Sequence, residues 1–277
     1  MKEVHIYTEH WGLTAMPFEN TNDLNFFYPS SKHKEALGRM QYVVTQRKSG
    51  FLLSGECGTG KTYVINALVK MAYQHKCVTG LISNPRLTAI EFIHEVMVQL
   101  GGKPGLEKGE KMDYLRTIRE RLLDNHAKKM HTVVIVDEAQ SIEDANVLEE
   151  MRLLLNFQEK ESLLLTFILV GQLQLEEMIA KRPQLAQRFA LRYRLPALSG
   201  EETREYIEYR LKVAGCQKTM FTDAAQEMIY FISGGMPRVI NNVCDLALLT
   251  GFIKKTTIVD KDIVTQVGQD IGGQPTE

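Results

Sequence analysis

The sequence is short of several features that would place it in a specialised class. Its four cysteines, Cys57, Cys77, Cys216 and Cys244, lie far apart and form no CxxC pair. That spacing speaks against a disulfide framework or a zinc knuckle, and free thiols fit a reducing compartment. Long apolar runs are lacking too. The longest, Leu163 to Val170, is interrupted by Thr166 and falls far short of the ~20 residues that span a bilayer. The opening MKEVHIYTEH has no apolar core of a secretory signal. An excess of one charge is missing: 33 Lys and Arg stand against 34 Asp and Glu, a net of −1. This argues against a constitutive nucleic-acid binder but leaves room for a local basic face. Before Pro196 there are 25 basic and 23 acidic side chains, and after it 8 and 11, so neither part is polarised. No fixed-period repeat or low-complexity segment is visible. These absences predict a cytoplasmic protein without a membrane span.

What is present suits a packed globular chain. Of 277 residues, 44% are hydrophobic and 24% charged, enough for one large domain or two modest ones. Residues 1–32 mix aromatics, prolines and polar groups without a period and read as an ordered linker. A helix is expected from about Lys32 to Arg47. Short apolar runs predict strands at Gly50–Ser54, Val78–Ile82, His131–Val136 and Leu163–Val170, with an edge strand at Leu191–Leu195. Helical periods fall between them, at 61–75, 88–100, 112–129, 147–158, 173–179 and 183–189. This alternation predicts a parallel sheet covered on both faces. After Pro196 the periods are helical, at about 201–214, 222–233, 236–251 and 260–268, with a short β-branched piece at Thr256–Val259.

Two motifs carry chemistry. Gly55-Glu56-Cys57-Gly58-Thr59-Gly60-Lys61-Thr62 matches GxxxxGK[ST], follows an apolar strand and opens a helix. Without Cβ atoms the glycines allow a tight turn whose N–H groups face phosphate oxygens, and the helix N-terminus favours the anion. Lys61 is expected on the outer phosphates, the Thr62 hydroxyl on Mg²⁺, and Tyr63 at the end of the binding segment. Cys57 reads as a small residue the loop tolerates. Second, Val133-Val-Ile-Val-Asp137-Glu138 is an apolar strand closed by two carboxylates. Asp137 is expected to hold Mg²⁺ and Glu138 to polarise the attacking water. The 76 positions from Lys61 to Asp137 leave room for two βα units.

Together these motifs resemble the AAA+ ATPases, and more closely the ExeA/GspA-type ATPases of bacterial secretion systems. The resemblance covers nearly the whole chain. It rests also on Gly12-Leu13 with Pro17-Phe18, on Phe27-Tyr28 with His33 and Glu35-Ala-Leu37, and on Asp137-Glu138-Ala139-Gln140. Val170-Gly171-Gln172, Leu185-Ala-Gln187-Arg188-Phe189 and Gly235-Met-Pro237-Arg238 with Ile240-Asn241 complete it. The resemblance implies an α/β P-loop fold with a five-stranded parallel sheet, followed by a helical lid. It divides the chain into a linker and first helix at 1–48, an ATPase core at 49–195 and a lid at 196–277. It implies that Gln172 senses the γ-phosphate, that Arg188 acts as an arginine finger on a neighbouring subunit, and that Arg238 touches the nucleotide from the lid. Arg192 is the alternative finger. Tyr28 and His33 are candidates for the surroundings of adenine.

The implied partners are ATP with Mg²⁺, further copies of the chain in a ring or filament, and an unidentified protein complex of secretion or surface assembly. Stand-alone ATPases of this build are also similar to transposition regulators of the TnsC and MuB type, which makes DNA a second candidate partner. Lys103, Lys108, Lys111, Arg116 and Arg119 would be the DNA contacts; the plainer reading is a solvated helix face. Full-length secretion members carry a transmembrane helix and a cell-wall-binding domain after the ATPase, and neither is read in these residues.

Overall fold

A computed structural model describes residues 7–21, 23–102 and 109–272. The chain opens with α1 (Thr8–Trp11), α2 (Ser31–Thr45), β1 (Gly50–Ser54) and α3 (Lys61–Gln74). Next come β2 (Cys77–Ile82), α4 (Ala89–Gln99), α5 (Lys111–Ala127), β3 (His131–Val136) and α6 (Ala145–Leu154). Two short strands, β4 (Gln158–Glu159) and β5 (Ser162–Leu163), precede β6 (Leu165–Gly171), α7 (Gln174–Ala180), α8 (Pro183–Arg188) and β7 (Leu191–Arg194). The chain continues in α9 (Gly200–Val213), α10 (Asp223–Ser233), α11 (Pro237–Ile253) and α12 (Lys261–Asp270). Two compact units result. One holds Lys32–Cys57 and Val64–Leu195; the other holds the segment up to Ser31, Gly58–Tyr63, and the chain from Pro196 onward.

In the first unit, β1, β3 and β6 are buried at every position, as uninterrupted β-branched and apolar runs require when both sheet faces are covered. The five-stranded sheet has the order β2-β3-β6-β1-β7 and is parallel throughout. Because strand side chains alternate, Leu52, Val134, Phe167 and Leu169 join one core with Phe92, Ile118 and Leu148. Phe51, Val133, Ile135 and Ile168 join the other with Met40, Val43, Val64 and Leu68. The expected five-stranded α/β sheet with helices on both faces is thus the fold.

One stretch departs from expectation. The helix expected to reach residue 158 stops at Leu154, and the strand expected from Leu163 enters the sheet only at Leu165, beside Thr132. Between them β4 and β5 form an antiparallel hairpin. Lys160 turns the hairpin at φ 54, and the Leu164 N–H donates to the Phe157 carbonyl (3.1 Å). The exposed Gln158 and Glu159 offer a helix no apolar face to bury, so the chain turns out instead.

The helical unit contains α9 to α12 and the segment from Tyr7 to Tyr28. The segment 1–48, expected as one piece, is therefore divided, with nearly all of α2 in the α/β unit. Burial of apolar surface accounts for this. Tyr7, Trp11 and Phe18 are buried in one core with Ile207, Phe221, Leu248 and Val264, whereas Ala36, Met40 and Val43 of α2 pack on the sheet. The Trp11 indole N–H donates to the Leu248 carbonyl (3.0 Å), and the Thr14 N–H to that of Ala214 (2.8 Å). The β-branched piece at 256–259 makes one parallel bridge, Val259 to Phe221. No helix among the described residues is long and apolar enough to cross a membrane.

Candidate nucleotide site

The loop after β1 begins in register with the sheet, where the Gly55 N–H donates to the Gly171 carbonyl at the end of β6 (3.2 Å). Gly58 and Gly60 have φ of 88 and 96, a region that L side chains enter only with strain. Lys61 and Thr62 are the first two residues of α3, so backbone N–H groups and the helix N-terminus lie where the sequence motif requires them. Glu56, Cys57 and Thr62 are exposed, while Thr59 and Lys61 are buried. Lys61 brings an ammonium and Thr62 a hydroxyl to the glycine loop at the start of α3, and Asp137 supplies a carboxylate after β3. That set fits a polyphosphate with a hard divalent cation.

Gly58 has a second constraint within the helical unit. A Cβ there would come within 2.8 Å of the Arg238 Cβ, and the Arg238 N–H points at the Gly58 carbonyl at 3.4 Å. Arg238 itself is exposed at the second position of α11, after Pro237. The neighbouring Tyr63 stacks on Phe27 (centroids 5.2 Å, planes within 10°), and its hydroxyl donates to the Thr21 carbonyl. Burial raises the Tyr63 pKa.

In the α/β unit the sheet carries the acidic groups at the C-terminal ends of its strands, where open α/β sheets bind ligands. The Asp137 N–H extends the β2–β3 pairing by donating to the Ile82 carbonyl (2.9 Å). Its carboxylate accepts the Glu138 N–H (2.9 Å). Glu138 is left-handed, with φ 50, an uncommon backbone for a non-glycine residue. Its carbonyl accepts both the N–H (2.8 Å) and the hydroxyl (2.7 Å) of Ser141, and its carboxylate is exposed. Gln172 follows the end of β6, half-buried, with its N–H on the Gln140 side-chain oxygen (2.9 Å). At the end of β1, the Ser54 hydroxyl donates to Glu176. Arg194 grips the same carboxylate with two bonds of 3.1 and 3.0 Å and holds its pKa down.

Arg188 lies at the other end of the sheet. Its carbonyl accepts the Ser49 hydroxyl (2.7 Å), and its guanidinium donates to Asn156 (2.8 Å). Five residues of β1 at ~3.3 Å each separate Ser49 from Gly55, more than one side chain spans. With Arg47, Lys48 and Glu161 it lines a cleft of about 460 Å³. Arg192 lies on β7 opposite Leu52 and donates to the Phe189 carbonyl (2.9 Å).

The adenine candidates separate. Tyr28 belongs to the helical unit, its hydroxyl bonded to Glu205 and its ring against Tyr206 and Tyr209. Its pKa is raised by burial first, with Glu205 adding to it. His33 is buried on α2 in the α/β unit. Of the basic residues considered for DNA, Lys103 and Lys108 lie outside the described residues. Lys111 is paired with Glu150 (2.5 Å), and Arg116 and Arg119 are exposed on α5. The Gln140 bonds, the Ser54–Glu176–Arg194 set and the Phe27–Tyr63 stack were not foreseen. Only Gln140 had a signal, its place two residues after Glu138.

Comparison with known proteins bears on the fold and the family. Residues 44–179 match the AAA domain family. General secretion pathway protein A of Aeromonas hydrophila is 36% identical over 262 residues; the match takes in 93% of this chain and 47% of that protein. The chain thus spans about half the length of that relative. Among solved structures, Cdc6p of Pyrobaculum aerophilum is similar with a TM-score of 0.70 at 14% identity, over 90% of this chain and 71% of that one. ORC1 of Aeropyrum pernix in complex with DNA gives 0.65 at 13%, over 95% and 69%. At such identities the solved structures speak for the fold alone. The chain has the P-loop fold of the AAA+ proteins and is similar over most of its length to general secretion pathway protein A.

Proposed function

We propose that this protein binds ATP with Mg²⁺ and hydrolyses it to ADP and phosphate, as the working step of an oligomeric motor or switch on a secretion or surface-assembly complex. The carrying observation is the pairing of two strand ends: a GxxxxGK[ST] loop with glycines at φ 88 and 96 after β1, and Asp137-Glu138 after β3. In this reading the loop from Gly55 to Tyr63 holds the phosphates, with Lys61 on the outer ones. Thr62 and Asp137 would hold Mg²⁺, which when bound neutralises phosphate charge. Glu138 orients a water and takes its proton. Gln172 and Arg238 contact the nucleotide, and Tyr28 and His33 remain candidates near the base. Arg188 serves the site of a neighbouring copy, offsetting charge that develops on the transferred group. Its place at the far end of β1 from Gly55 supports this assignment over Arg192. The complex in this reading is taken from the named relative.

Turnover and ATP binding in variants test the reading. Lys61→Ala should lose nucleotide binding, and Glu138→Gln should bind ATP but turn it over at least 100-fold more slowly. Unchanged turnover in Glu138→Gln removes Glu138 as the base. Arg188→Ala should be slow alone and partly rescued in mixed assemblies with Glu138→Gln, which supplies an intact arginine. Absence of rescue in assemblies shown to mix refutes action between copies.

A second reading, an ATP-dependent DNA-binding regulator of the transposition type, is supported by the exposed Arg116 and Arg119 and by the DNA complex of a structural neighbour. A salt-titrated DNA-binding assay with ATP, with ADP and without nucleotide separates the two. Binding with a steep salt dependence only with ATP supports the DNA reading, and no binding in any state sinks it.

A further inference from the structure

We propose that Gln140 is the positioning residue that fixes the Glu138 carboxylate and ties it to the end of β6. The inference rests on the reading of Glu138 as the base. Glu138 is held unequally. Its N–H is bonded to Asp137 and its carbonyl to Ser141, so the backbone is pinned in its left-handed turn. The side chain is exposed and gains no orientation from packing. Among the described residues its carboxylate has one hydrogen bond, from the Gln140 side-chain N–H to Oε2 at 2.5 Å. Hydrogen bonds to a carboxylate are among the strong ones.

The other end of the same amide is also spoken for. Gln140 Oε1 accepts the Gln172 N–H at 2.9 Å. These two partners settle which way the amide faces: a backbone N–H only donates and a carboxylate only accepts, so oxygen must face Gln172 and nitrogen must face Glu138. A flipped amide would lose both bonds. Gln140 therefore joins the residue that follows β6 to the carboxylate following β3. A displacement of Gln172 would pass to Glu138 through one rigid planar group.

Gly171 makes the bridge sterically available. A Cβ there would run into Gln140 Oε1 and stand 3.1 Å from Leu175 Cδ2. Its φ is not left-handed, so close approach, and not turn geometry, is what requires glycine at this position. The Gly171 carbonyl meanwhile accepts the Gly55 N–H (3.2 Å). Phosphate loop, β6 end and base thus share one hydrogen-bonded chain, with Gln140 as its side-chain member.

The test is steady-state ATP hydrolysis by the full chain, with ATP affinity from nucleotide-fluorescence titration. Gln140→Met keeps the length and removes both bonds. It should lower kcat about 10- to 100-fold, the loss expected from a displaced catalytic group, while KM and ATP affinity stay within about threefold. Gly171→Ala should show the same split, and it carries the test should the Met variant fail to fold. Adding Gln140→Met to Glu138→Gln should slow single-turnover hydrolysis no further, because Gln140 acts through Glu138. Unchanged kcat in both Gln140→Met and Gly171→Ala overturns the inference, as does a loss confined to KM. A full multiplicative loss in the Glu138→Gln background overturns it too. If Glu138→Gln itself hydrolyses at the normal rate, the underlying reading fails first. Strict dependence on Glu138 with indifference to Gln140 overturns the inference alone.

Discussion

Replacing Arg210 by methionine tests how the helical unit holds its N-terminal segment. Arg210 is 1% exposed, and its guanidinium is hydrogen-bonded throughout. It donates to the Pro17 carbonyl (2.6 Å), the Glu19 carbonyl (2.9 Å) and the Tyr206 hydroxyl (2.8 Å). Tyr206 in turn donates to Asn241 (2.7 Å), whose amide reaches Asn20 (2.8 Å). One cation thus organises carbonyls near residue 18 and side chains of α9 and α11. Bonds from a charged donor are worth about 1.5–3 kcal/mol each, and the variant leaves the Pro17 carbonyl without its donor. Methionine returns roughly 1–2 kcal/mol of apolar burial and spares the guanidinium its desolvation. The expected net loss is about 3 kcal/mol. Trp11, the single tryptophan and 1% exposed, reports on this unit by fluorescence in a urea titration. Its transition should move to lower urea in Arg210→Met, and the segment before Ser31 should become sensitive to protease under native conditions. A loss below about 1 kcal/mol would refute the reasoning, because it would mean that water replaces the guanidinium without cost.

Gly58→Ala should weaken ATP binding at least tenfold while leaving far-UV dichroism unchanged, since φ 88 and the Arg238 side chain both oppose a Cβ there. Equal affinity by calorimetric titration would refute this. His131 is buried at the start of β3, and burial, with Arg47 and His126 adding to it, lowers its pKa to about 4. Its Nε2 faces the Thr166 hydroxyl (2.8 Å), whose proton goes to the Lys48 carbonyl (2.6 Å), so Nε2 carries the ring proton of the neutral form. Below about pH 6.5 the unfolded chain gains a proton that the native one refuses. Stability should therefore fall as pH drops from about 6.5 to 4, by up to roughly 3 kcal/mol. His131→Gln should flatten that part of the profile in denaturant titrations, and an identical acid dependence in the variant would refute the assignment.

The α/β unit was legible because its strands announce themselves. His131–Val136 and Gly50–Ser54 are apolar on both faces, and only a covered parallel sheet accommodates that. The loop at Gly55–Thr62 was legible because each residue type answers a separate demand of a polyphosphate. Three things were not legible, each for a physical reason. The hairpin at 158–163 depends on where Leu154 runs out of core to cover, which periodicity alone does not report. The aromatics at 7–28 have no period because they are placed by pockets on distant helices, so the sequence showed that they pack but not on what. The Gln140 bridge joins residues 32 positions apart, and nothing in local spacing brings β6 beside β3.

The helical unit also has a history in time. Its core joins segments far apart in the sequence: Trp11 finds its acceptor 237 residues later, and Thr14 finds its own 200 residues later. The sheet is complete once Arg194 has been made. During synthesis at ~5–20 residues per second, the α/β unit can fold while Tyr7, Trp11 and Phe18 wait for helices not yet translated. For several seconds per molecule these aromatics lack the helices that bury them. The need for a chaperone is therefore greatest around Tyr7, Trp11 and Phe18, and α11 and α12 are what end that need.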